Sequence, residues 1–293
     1  MEWLTTLGDS SFFTTVFGAL AGAFAGAWAA QRIAERSKLR EELKKEISNI
    51  NAAIMLAYTT SNQAMVLKKQ HVRELKKSYD ADCVRHKVHV QKAASGQAVG
   101  AFELVGNFLN FQVLSPPITH LEDIVMGRLS TAGRTLVSMS ALSDAIGNLN
   151  YAISKRNDLM ERMQHGDLPE GAGIEHFYLG IPYAEGRRNQ EYGSYINAMA
   201  LYTDDAIFFG FKLCEDLQAH GARLSRKHKK KFGGEAPRIV EIDLTQAEDE
   251  GLLPKDDNYV SWLSGFRPAE EVTLRWWQWF KKASQYIARK RKK

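Results

Sequence analysis

The sequence predicts a mainly α-helical protein. An N-terminal transmembrane helix is expected to continue into a long helical arm and a cytoplasmic four- or five-helix bundle, with at most one short strand or hairpin. Three observations carry this. Residues 12–30 hold no charged side chain. No glycine or proline falls between Gly26 and Gly96. Beyond Gly96, long stretches with helix-period apolar residues are joined by short Gly- and Pro-containing breaks, the pattern of antiparallel helices.

In the N-terminal run, Gly18, Gly22, Gly26 and Ala30 step by four. Val16, Leu20, Phe24 and Trp28 step by four as well, offset by two residues or about 200°, so one face is small and the other bulky. At ~1.5 Å per residue, the 19 residues of 12–30 give roughly 28 Å of helix, close to the hydrocarbon thickness of a bilayer. In lipid a ridge of small residues permits close helix packing, so the span is expected to pair with its own copy while the bulky face meets acyl chains. Glu2 and Asp9 precede the run, and Arg32, Arg36, Lys38, Arg40, Lys44 and Lys45 follow it. That asymmetry predicts a signal anchor in the inner or plasma membrane, with residues 1–11 outside, 12–34 spanning and the bulk of the chain in the cytoplasm.

The arm, residues 35–95, places Leu43, Ile47, Ile50, Ile54, Ala57, Ser61 and Ala64 at alternating steps of four and three. This is the seam of a coiled coil or of a bundle helix, and both readings stand on sequence. After Ala64 the steps become four and four, to Lys68 and Val72, which reads as a stutter. The bundle is expected in 96–232. It would include an apolar helix at Gly100 to Leu114, a long helix from about Thr131 to His165 stopped by Gly166, and another from about Asn189 toward Lys231, with Gly210 and Gly221 as sites of bending. Residues 233–267 read as irregular, with Arg238 to Leu244 alternating like a lone strand. Residues 268–293 form an amphipathic, Trp-rich helix with a basic tail. In it Trp276, Trp277, Trp279, Lys281, Lys282, Arg289, Lys290 and Arg291 are candidate contacts for a lipid interface, although a Trp-rich stripe is more often the face that closes a bundle.

The chain carries 39 Lys and Arg against 34 Asp and Glu, a net charge of +5, with a dense basic run at Arg223 to Lys231. Such runs suit anionic lipid or nucleic acid; they lack interleaved aromatics and a recognisable nucleic-acid module, so nucleic acid is the weaker expectation. Two separated cysteines, Cys83 and Cys214, argue against a disulfide framework. "CVRHKVH" aligns Cys83, His86 and His89 but has no second ligand pair, so no metal and no cofactor is expected. Phosphate-loop, dinucleotide, zinc-protease and hydrolase-elbow motifs are absent.

"KRNDLMERMQH" resembles the hallmark of the HEPN helical-bundle ribonucleases, an Arg, often followed by Asn, and then His after four to six intervening residues. The resemblance implies proton transfer and charge stabilisation by Arg156, Asn157 and His165. The chain departs from that pattern, because eight residues intervene between Arg156 and His165. The expectation is therefore a non-catalytic, membrane-anchored oligomer acting as sensor, scaffold or membrane effector, in the manner of bacterial antiphage effectors, with an unidentified protein trigger. The alternatives are a tethered HEPN-like ribonuclease and a tethered nucleic-acid adaptor.

Overall fold

The computed structural model describes residues 11–266, with the backbone alone for residues 11–16. The predicted helix of 268–293 therefore lies outside the described residues. The chain divides into two units, Met1–Pro254 and Lys255–Lys293. The described residues are mainly helical and contain no strand.

In the first unit, α1 (Ser11–Leu67) passes through a π-helical turn (Lys68–Val72) into α2 (Arg73–Ala94). The residues on either side of the turn, Leu67 and Arg73, keep right-handed helical backbone angles. The π turn falls where the apolar steps change to four and four, so the helix absorbs the stutter by widening one turn. Short α3 (Ile118–Gly127), α4 (Arg134–His165), short α5 (Ile174–Leu179) and α6 (Glu191–Phe232) follow, then α7 (Thr245–Asp249). The second unit holds a 3-10 turn (Asp256–Tyr259) and α8 (Val260–Ser264), with the rings of Trp262 and Phe266 tilted against each other at 4.8 Å.

Helix α6 is the centre of the bundle. It packs along α4 on one side and α1 on the other. One core joins the Leu43–Met65 part of α1, the first half of α4 and the second half of α6. The other joins the π turn, α2, the second half of α4, α5 and the first half of α6. Leu43, Ile47, Ile50, Ile54, Ala57, Ser61 and Ala64 are all buried, so the seam faces this chain's own α6 and not a freestanding coiled-coil partner. Gly210 serves close approach. A Cβ there would stand 1.8 Å from Oγ of Ser61 and 3.6 Å from the Ala57 carbonyl oxygen. Across the same core, Arg134 forms a forked ion pair with Asp216, tying the start of α4 to α6. Lys68 of the π turn bonds Asp204 at 2.7 Å and the Leu252 carbonyl at 2.9 Å.

Two expected elements are corrected. The apolar stretch Gly100 to Leu114 is not helical and takes no regular secondary structure. Carboxamides of α4 hold it in place. Asn150 accepts from Leu114 N–H and donates to its carbonyl, both at 2.8 Å. Asn157 does the same for Phe111, at 3.1 and 2.7 Å, and Gln164 donates to Phe108 O at 3.2 Å. Seven helical residues rise about 10.5 Å, and three extended residues span about 10 Å, so the registers match. The second correction is Arg238 to Leu244, which has no strand partner. Asn51 donates to Arg238 O and accepts from Val240 N–H, both at 3.0 Å, while Gln218 donates to Val240 O at 3.1 Å.

Among the described residues no helix is long and apolar enough to cross a membrane. Ala and Gly fill most of 17–30 and contribute little transfer energy, and Gln31 and Arg32 close the run.

Two stability predictions follow from this packing. Asn157→Leu leaves the Phe111 N–H and C=O without partners and should cost about 1–3 kcal/mol in urea unfolding. Gly210→Ala should destabilise the protein despite its better helix propensity, and Ser61→Ala should relieve part of that loss in a double-mutant cycle.

Candidate membrane interface

From residue 17 to residue 38, every residue of α1 is exposed. Leu20 and Trp28 are more than half exposed, Phe17 is 68 % and Phe24 75 % exposed, and Ile33 extends the apolar surface. On the opposite ridge, nothing lies within 4 Å of a Cβ built at Gly18, Gly22 or Gly26, and Ala30 is exposed. The side chain of Val16 lies outside the described residues. Covering Phe17, Leu20, Phe24 and Ile33 would be worth about 1.5–3 kcal/mol each, on the order of 10 kcal/mol together. Contiguous apolar exposure of this kind is uncommon on the surface of a folded monomer.

The foot of this helix is cationic, and the fold makes it more so. Antiparallel packing returns the end of α6 to α1 just past the apolar run. Arg36 donates to Lys231 O at 3.1 Å, and its guanidinium lies 5.8 Å from the centre of the Phe232 ring. The basic run Arg223–Lys231 is thereby set beside Arg32, Arg36, Arg40, Lys44 and Lys45, although 195 residues separate Arg36 from Lys231 in sequence. Within this collar, Lys38 pairs with Glu42 at 3.9 Å and Gln31 bonds Glu35. Arg32 stacks over Trp28 at 4.2 Å, joining the collar to the apolar face.

His228 sits inside the collar. It is fully buried, its ring lies tilted against Phe232 at 5.2 Å, and neither ring nitrogen has a hydrogen-bond partner among the described residues. Burial, with Arg40 and Lys44 beside it, pushes its pKa below the ordinary histidine value. Sequence reasoning missed this residue. The available signal was its place in a step-of-four stripe with Leu224 and Phe232, inside an otherwise solvated Lys run.

The structure does not gather Arg156, Asn157 and His165 into one site. Arg156 is fully buried. It donates to the carbonyls of Leu109 (2.7 Å) and Asn107 (2.8 Å), and its guanidinium stacks over Phe111 at 4.5 Å. Asn157 is the Phe111 clamp, and His165 is exposed as the last residue of α4. Arg156 and Asn157 thus hold the irregular segment against α4. Nearby, buried Asp82 accepts from the Tyr178 hydroxyl at 2.9 Å and pairs with Arg85, and desolvation raises the Tyr178 pKa. His86 and His89 both stack edge-on against Phe102, at 5.1 and 5.5 Å. Among the described residues no group of three or more His, Cys, Asp or Glu side chains could hold a metal. Trp276, Trp277, Trp279, Lys281, Lys282, Arg289, Lys290 and Arg291 lie outside the described residues.

The fold and this surface define an all-α bundle with an uncovered apolar helix rooted in a cationic foot. Comparison with protein-family models, with curated proteins and with solved structures gave no match.

The His228 environment sets a pH dependence. Its folded-state pKa lies below the ordinary value of 6.5, so its contribution to stability is present above that pH and is lost as pH falls through the lowered folded value. Between about pH 7 and pH 5, the urea midpoint of the wild type should fall more steeply than that of His228→Phe, and parallel curves would remove His228 from the pH response.

Proposed function

We propose that the chain is a membrane-anchored oligomer that works without catalysis, as a sensor, scaffold or membrane effector. The observation that carries this reading is the bare apolar helix of α1, rooted in a cationic collar drawn from α1 and α6. The apolar face suits acyl chains, and the nearest cations of the collar, Arg32 and Arg36, suit an anionic leaflet on the side that the positive-inside rule makes cytoplasmic. The N-terminus would then lie outside and the bundle inside.

The modest apolarity of the helix bears on how it would insert. A lone Ala/Gly helix gains little from lipid, so a partner helix on the glycine ridge adds the packing energy that the composition lacks. A second copy of the chain presents that ridge at the same depth. The reading favours association over chemistry because Arg156 and Asn157, the residues that resemble a nuclease motif, are committed to backbone carbonyls.

In cells, the full chain should stay in the membrane pellet after an alkaline carbonate wash, and release to the supernatant would end the anchor reading. Gly22→Ile should keep the protein in the pellet, since nothing in the bundle lies near that position. It should also abolish cross-linking between copies, and cross-linking equal to wild type would count against assembly through the ridge.

A further inference from the structure

Beside the collar, a hollow of about 670 Å³ opens between Lys44 of α1, Ser225 and Lys229 of α6, and the loop of residues 234–238. Lys44, Lys229 and Arg238 supply three cations from three segments. None of the three has an ion-pair partner among the described residues, and Glu235 is the one carboxylate in the lining. Three cations against one carboxylate leave a net charge of +2. The loop adds backbone donors. Gly233 and Gly234 both take φ +68°, a conformation that favours glycine, and the N–H groups of residues 234–236 have no partner among the described residues. Unpaired N–H groups beside cations form an anion-binding concavity. The Ser225 hydroxyl donates to Pro237 O at 3.0 Å, which fixes the loop to α6.

Cations at a helix C-terminus complement the helix dipole, and that accounts for Lys229. It does not account for Lys44, far inside α1, or for Arg238, in the extended segment that Asn51 clamps. We propose that this hollow binds the dianionic phosphate of a soluble phosphate ester, with Arg238 as the forked donor and Lys44 and Lys229 as flanking charges.

The position selects a soluble source over a lipid headgroup. Lys44 lies 14 residues beyond Ala30, about 21 Å along the helix at ~1.5 Å per residue. The headgroup layer on one side of a bilayer is only roughly 5–8 Å deep. This choice of source rests on the membrane reading, whereas the site itself does not. A ligand here would join α1, α6 and the 234–238 loop at the root of the exposed helix, where a sensor could act on it.

The test uses the full chain in nanodiscs of zwitterionic lipid, titrated with inorganic pyrophosphate in a calorimeter at low salt. The wild type should give a saturable heat. Arg238→Gln should weaken binding about tenfold or more, and Lys87→Gln, an exposed cation on α2 outside the lining, should leave it unchanged. Absence of saturable binding, or equal weakening in both variants, would overturn the site. In vesicle flotation, phosphatidic acid and phosphatidylglycerol vesicles of equal charge should bind alike. A preference for phosphatidic acid that Arg238→Gln removes would overturn the soluble source. Wild-type protein that binds pyrophosphate but floats with no anionic vesicle would refute the membrane reading and leave the site standing.

Discussion

The packing of α6 between α1 and α4 is the constraint on which the rest of the structure depends. A 42-residue helix with buried positions from Tyr192 to His228 has more apolar surface than one neighbour can cover. It therefore takes α1 on one side and α4 on the other, and the two cores are its two halves. Close approach at Gly210 brings the α1 seam down onto α6. Once α1 is fixed there, its N-terminal turns run on beyond the Arg36–Lys231 contact, and residues 17–30 are exposed among the described residues.

A second constraint is backbone satisfaction. Two irregular segments cross the bundle without a β-ladder, and their N–H and C=O groups still need partners. Side-chain amides supply them: Asn150, Asn157 and Gln164 on α4, Asn51 on α1 and Gln218 on α6. An Asn carboxamide offers one donor and one acceptor side by side, so it can stand in for a neighbouring strand. Arg156 completes the α4 clamp by taking the carbonyls of Asn107 and Leu109 and stacking on Phe111. A residue pair that resembles a nuclease motif is in this chain the fastening of a loop.

The electrostatics come from topology. Antiparallel packing sets the Arg223–Lys231 run beside the basic residues that follow the apolar helix, and the 233–238 loop adds Arg238. Repulsion among these cations is a cost that solvent screening reduces at the surface. At His228 the same crowding, together with burial, favours the neutral imidazole. A concentration of uncompensated positive charge at the root of an exposed apolar helix is the feature that links fold to proposed function.

The sequence by itself determined the helical class, the α1 seam and its stutter, the long helices ending at His165 and near Lys231, and the small and bulky faces of the N-terminal run. These are periodic, local signals, and helix periodicity survives any tertiary arrangement. Only the tertiary structure decided that Gly100 to Leu114 and Arg238 to Leu244 take neither helix nor β-pairing. Their partners are single amide side chains up to 189 residues away, which no local pattern announces. Only the fold could show that the seam faces α6, that Arg156 is buried, and that Lys44, Lys229 and Arg238 share one hollow. Each of those facts depends on which helix lies beside which, and that is settled by mutual burial of apolar faces across the whole chain.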